Sequence, residues 1–199
     1  MKIIGIDLAG SEKRPTGFCL MNEKLEVKVR TLYSDKEILE EIKRIKPDVI
    51  AIDAPLSLPK GRKSLKKKSN IHLRQCDREL LKMRIKFFPI TLGPMRKLTE
   101  RGIKLKKKLK NFKVIEVYPG GAQDLLGIPR KQKGLKKLAR GLRKLGIKGI
   151  KGDENEHELD AITAAYVGKL FLEENFLALG DRREGLIIMP KPKDLKTFI

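Results

Sequence analysis

With 199 residues, 40 % hydrophobic and 36 % charged, the chain is long enough for one well-buried domain and holds no apolar run near the roughly 20 residues of a membrane span. Its 46 Lys and Arg against 25 Asp and Glu leave a formal net charge of +21, an excess that points to polyanions, nucleic acid before anionic membrane. The N-terminus enters a strand-like stretch with no small-residue cleavage site after it, so no signal peptide is expected and a soluble, cytoplasmic protein is.

Lys2 to Leu8 reads as a buried strand that ends in an acid, Asp7. A turn through Gly10, Ser11 and Pro15 leads to a second strand from Thr16 to Met21, and Asn22-Glu23-Lys24 leads to a third, Leu25 to Leu32. Ser34 or Asp35 caps a helix running to about Ile45, with Ile38, Leu39, Ile42 and Ile45 at helical spacing. Pro47 stops it, and Asp48 to Asp53 is a further apolar strand that ends in an acid. Residues 58–111 change character. A basic loop and two helical stretches, about Arg74 to Lys86 and Pro94 to Lys110, suggest an insertion lying over one edge of the sheet. Strand character returns from Lys113 to Tyr118 around Glu116, and a short helix is expected through Leu126. Lys131 to Lys144 is a basic amphipathic stretch. The longest helix is expected from Asp153 to roughly Leu177, and a last short strand at Leu186-Ile187-Ile188. Three strands, a crossover helix and a fourth strand begin a mixed α/β sheet in one domain.

Asp7, Asp53 and Glu116 each lie at or near the C-terminal end of an apolar strand. On parallel neighbours, such carboxylates would align about 4.8 Å apart along one sheet edge, where open α/β sheets bind ligands. Carboxylates so close repel unless a proton or cation separates them. Mg²⁺ or Mn²⁺ is the natural cation, and a pair of such ions is suited to phosphodiester hydrolysis. His157 and Asp160, three apart near the start of the long helix, share a face and can add to the group. The two cysteines, Cys19 and Cys76, have no partners at zinc spacing, although His72 stands four residues before Cys76.

The segments Gly5-Ile6-Asp7-Leu8-Ala9-Gly10, Ile52-Asp53-Ala54-Pro55-Leu56, Arg74-Gln75-Cys76-Asp77-Arg78, Glu116-Val117-Tyr118-Pro119 and Leu159-Asp160-Ala161 together resemble the predicted nucleases of domain-of-unknown-function family 429. The resemblance covers nearly the whole chain and implies a ribonuclease H-like fold. By similarity to the wider superfamily, which includes resolvases of the RuvC type, Asp7 corresponds to the first-strand acid and Asp53 to the acid ending the strand after the crossover helix. His157 and Asp160 correspond to the C-terminal-helix pair. Asp7, Asp53 and Asp160 would be the metal ligands, with Glu116 and His157 beside them in catalysis. Glu116 and the Arg74–Asp77 motif belong to the narrower family, with Asp77 in a supporting place. The basic segment between Asp53 and Glu116 departs from the wider pattern.

Lys13, Arg14, Arg62, Lys63, Arg74 and Arg78 flank the first two acids and are candidates to grip phosphates. Aromatics are scarce, 5 % with no Trp, so recognition through backbone and shape is expected over base stacking. The reading is a metal-dependent nuclease acting on DNA or RNA, away from membranes; a homodimer is compatible with it. The alternative is a non-catalytic nucleic-acid-binding protein of the same fold. An actin-like ATPase ranks below both, because such enzymes bind nucleotide between two domains.

Overall fold

The computed structural model describes residues 1–192 and contains one seven-stranded mixed sheet. The strands are β1 (Lys2–Asp7), β2 (Thr16–Asn22), β3 (Val27–Leu32), β4 (Val49–Asp53), β5 (Val114–Val117), β6 (Phe176–Asp181) and β7 (Gly185–Pro190). Their order is β3-β2-β1-β4-β5-β7-β6. The first three form an antiparallel meander, and β4 and β5 continue parallel to β1, the expected ribonuclease H-like arrangement. β7 adds parallel to β5, and β6 closes that side antiparallel.

The α-helices are α1 (Asp35–Ile45), α2 (Gln75–Lys82), α3 (Gly93–Lys108), α4 (Pro119–Leu125), α5 (Leu135–Lys144) and α6 (Glu156–Leu172). Strand alternation sends each strand's apolar residues to two layers. Ile3, Cys19, Met21, Ala51 and Val117 pack with Leu159, Ile162 and Ala165 of α6 and with Leu138 and Leu142 of α5. Ile4, Ile6, Phe18, Ile50 and Ile52 pack with Ile38 and Ile42 of α1 and Leu105 of α3. A smaller cluster joins Cys76 and Leu80 of α2 to Leu179, Ile187 and Met189. Residues 58–111 lie on the face opposite α6: Cys76 and Leu80 of α2 pack against β7 and the edge strand β6, while Leu105 of α3 joins the α1 cluster, because each helix carries an apolar stripe that needs a sheet face to bury it.

Two helix ends follow local chemistry. Ser34 accepts from the Glu37 N–H while Glu37 bonds back, a capping box that starts α1. Asn155 does the same with Glu158 for α6, so that helix begins at Glu156, later than the sequence suggested. It also ends earlier, at Leu172. Glu174 takes φ 57°, the Asn175 N–H bonds the Leu170 carbonyl, and the chain turns into β6. The apolar residues Phe176 and Leu177, which extend the helical stripe in the sequence, instead pair with Pro190 and Met189. The other boundaries differ from expectation by a few residues, and the basic stretch from Lys131 divides into a 3-10 turn (Lys131–Lys133) and α5.

The contact between α6 and the sheet sets the position of the candidate site. A Cβ added at Gly5 would lie 2.1 Å from the Ala161 carbonyl oxygen, and one at Gly17 2.0 Å from that of His157. Only glycine on β1 and β2 lets the helix backbone approach this closely. Ala161, Ala164 and Ala165, all fully buried, complete the fit from the helix side.

Candidate metal centre and nucleic-acid interface

Asp7 and Asp53 are register partners on the adjacent parallel strands β1 and β4. Both project toward the α6 face, since they share strand parity with Ile3 and Ala51. The close seating of α6 brings His157 and Asp160 to them from its first turns. His157 Nδ1 lies 2.8 Å from Asp7 Oδ2. Asp160, 5 % exposed, accepts from Gln123 Nε2 at 2.8 Å and pairs with Lys131 Nζ at 2.9 Å. Gln123, on α4, also donates to Thr163 Oγ1 at 3.1 Å. Lys131 reaches Glu156 Oε2 as well, at 3.2 Å. Asp53 has neither a hydrogen bond nor an ion pair among the described residues.

The electrostatics follow from this crowding. Burial first, then the charges of Asp7 and Asp160, push the Asp53 carboxyl well above the ordinary carboxylate range, with Lys131 opposing. Burial also raises Asp160, and Lys131 moderates the shift. His157 is raised mainly by its hydrogen bond to Asp7. Burial works against the Lys131 ammonium, yet the charge of Asp160 and its hydrogen bond hold it above the ordinary lysine range.

No group of three or more His, Cys, Asp or Glu side chains among the described residues stands ready-made as a metal site. The donor chemistry is that of a hard divalent cation: Asp53 feels the charges of Asp7 and Asp160, and only the charge of Lys131 opposes them. Lys131 Nζ already acts as a cation among them, neutralising Asp160.

Glu116 is not part of this group. It is the register partner of Ile52, one residue short of Asp53, and so projects to the opposite face. There its carboxylate accepts from Arg74 at 2.8 and 2.7 Å and from the Leu56 N–H at 2.7 Å. Arg74 also bonds Asp77 through Nε and Nη2 and Ser57 through Nη1. The expectation that Arg74 grips phosphate is corrected: it is 2 % exposed, and its guanidinium is saturated within the protein. The Arg74–Asp77–Glu116 network instead braces the Ala54-Pro55-Leu56 turn that carries Asp53.

The remaining basic candidates divide. Lys13 and Arg14 are exposed in the loop after Asp7, and Lys63 and Arg78 are exposed near residues 60–80. Arg62 is engaged locally, donating to the carbonyls of Ser64, Leu65, Lys67 and Ile71 and so stapling the basic loop. Cys76 is buried in the α2 cluster, and His72 meets Thr91 Oγ1 at 3.1 Å. Sequence reasoning missed Lys131 and Gln123. Both lie in segments whose local pattern reads as a solvated or capping surface, and only their meeting with Asp160 distinguishes them.

No described helix is long and apolar enough to cross a membrane. Among curated proteins, none matches this sequence. A solved structure similar to it is that of Thermus thermophilus RuvC, at 16% identity over 87% of this chain and 97% of that one, with a TM-score of 0.47. A family model described as "Protein of unknown function (DUF429)" matches residues 5–184, and the chain belongs to that family.

Proposed function

We propose that the protein is a divalent-metal-dependent nuclease that hydrolyses phosphodiester bonds of nucleic acid in the cytoplasm. The observation that carries the reading is the register of Asp7 with Asp53 at two parallel strand ends, with Asp160 and His157 laid over them by α6. Asp7, Asp53 and Asp160 would hold Mg²⁺ or Mn²⁺, which when bound supplies a Lewis acid and an activated water. His157 keeps a proton at Nδ1 on Asp7 Oδ2, fixing the orientation of that carboxylate. Lys131 offsets Asp160 and adds positive charge where a phosphate would enter. Lys13 and Arg14 hold the flanking backbone. The Arg74–Glu116 pair keeps the turn after Asp53 rigid through the Leu56 N–H.

The test is cleavage of labelled single-stranded, duplex, hybrid and four-way-junction substrates with Mg²⁺ or Mn²⁺, wild type beside Asp7→Asn. Metal-dependent cleavage lost in the variant is expected; full activity in Asp7→Asn would overturn the reading. A second reading, a nucleic-acid-binding protein without turnover, is favoured by one observation: Lys131 already compensates Asp160 without any metal. It requires that Mg²⁺ leave the melting temperature unchanged, whereas the nuclease reading requires a rise.

A further inference from the structure

A cavity of about 290 Å³ opens beside the acids, between the ends of β4 and β5 and the segment joining α2 to α3. Asp53 is among its lining residues, so an occupant would lie beside a residue that the proposed reaction uses. Its walls include Phe87, Phe88, Met95 and Tyr118, while Arg74, Asp77 and Glu116 lie at its inner end, each 6 % exposed or less. Phe88 is 70 % exposed, more than any other large apolar side chain among the described residues. It stands at the mouth with nothing to cover it. Tyr118 is fixed as a wall: its hydroxyl donates to the Lys86 carbonyl at 2.6 Å, and the Arg130 guanidinium lies 5.6 Å from its ring centre. Lys131 lines the cavity too, placing a positive charge near the opening.

The geometry points to this cavity as a receptor for an unpaired nucleobase of the substrate strand. Flat aromatic faces and a polarizable thioether suit stacking on a base. The chain has only seven Phe, three Tyr and no Trp, yet Phe87, Phe88 and Tyr118 gather here. Glu116 Oε1 accepts a single bond, from Arg74, and so keeps capacity to accept from an N–H group on a base edge. A sugar-phosphate attached to that base would emerge toward Lys131 and Asp53, joining phosphate recognition to the acids. A base inside an intact duplex cannot enter without leaving its stack, which costs a few kcal/mol. The substrate class that follows is single-stranded, gapped or branched nucleic acid, in preference to continuous duplex. The inference deepens the nuclease reading and rests on it for the role of Asp53, but base capture can be observed without cleavage.

The experiment measures binding by fluorescence anisotropy in the absence of divalent metal. The ligands are a labelled single-stranded 20-mer, its duplex, and a 20-mer of the same length made entirely of abasic sites. The wild type is expected to bind the base-bearing single strand about tenfold or more tighter than the abasic strand, in line with stacking energies per base. Phe88→Ala, at an exposed position that leaves the core intact, should shrink that ratio to about twofold, while Phe88→Tyr keeps it and abasic binding stays unchanged. Equal affinity of the wild type for all three ligands, or an undiminished preference in Phe88→Ala, overturns the inference. Cleavage confined to continuous duplex also overturns it and leaves the nuclease reading standing. Base preference in a protein that cleaves none of the substrates supports the receptor and sinks the nuclease.

Discussion

Lys131 determines how the acids tolerate one another. Its ammonium is one-quarter exposed and serves Asp160 and Glu156 together. Lys131→Met should lower the stability of the metal-free protein by about 1–2 kcal/mol in chemical denaturation, less than the loss of a fully buried pair because solvent screens it. The same variant should gain more from added Mg²⁺ than the wild type does, since the metal would then supply the missing charge. Asp53 behaves in the opposite way. Its carboxyl is raised, so between the ordinary carboxylate range and its shifted pKa the folded state binds more protons than the unfolded state. Stability contributed by the protonated form is present at low pH and lost as pH rises through the shifted value. His157, raised by Asp7, adds a loss of the same sign, beginning above about 6.5, its unperturbed value. Metal-free protein should therefore melt lower as pH rises from about 4 to 8. Asp53→Asn should flatten the acid part of that slope and raise the melting temperature at neutral pH by about 2–4 °C, the equivalent of about 1 kcal/mol. An unchanged slope in scanning fluorimetry would falsify the claim that burial and the neighbouring acids raise Asp53.

At the scale of elements, the seating of α6 on β1 and β2 controls the site. Gly5→Ala would drive a methyl group into the Ala161 carbonyl and force the helix outward. We expect a loss of about 1–3 kcal/mol, as for overpacked cores, and a fall in cleavage larger than the stability change accounts for, because His157 and Asp160 move with the helix. Gly93→Ala, where an added Cβ meets nothing within 4 Å, is the control and should fall within about 0.5 kcal/mol of wild type. Equal effects in both variants would show that α6 seating does not set the site. The first five strands and α1 were legible from residues alone, because burial on alternate faces and the Ser34 capping box leave local signatures. β6 was not. Phe176 and Leu177 suit either a helix stripe or a strand, and the choice is made by the hairpin with β7.

For the whole molecule, the proposed function together with the net charge of +21 predicts salt-sensitive binding of nucleic acid. If Lys13 and Arg14 each neutralise one phosphate, the Lys13→Gln/Arg14→Gln double variant should reduce the slope of log affinity against log salt by about 2. Anisotropy titrations between 50 and 300 mM salt, roughly the range over which such slopes are read, would show the change; an unaltered slope would remove that loop from the interface. The shape of the protein also revises how it would recognise a strand. Scarcity of aromatics argues against stacking when they are taken as an average, but three of them share one cavity beside Asp53.

The residues by themselves determined the mixed sheet, the acids at the ends of β1 and β4, the helix pair His157 and Asp160, and the basic balance of the surface. Each is a local or compositional property: alternation, capping, spacing, charge. Tertiary structure alone decided the rest. Glu116 looks equivalent to Asp53 in sequence, yet a one-residue offset in the pairing of β4 with β5 sends it to the other face, to Arg74. Lys131 is one of many lysines until the turn before α5 sets it against Asp160. Strand parity and long-range ion pairing depend on which segments become neighbours, and that is settled by packing.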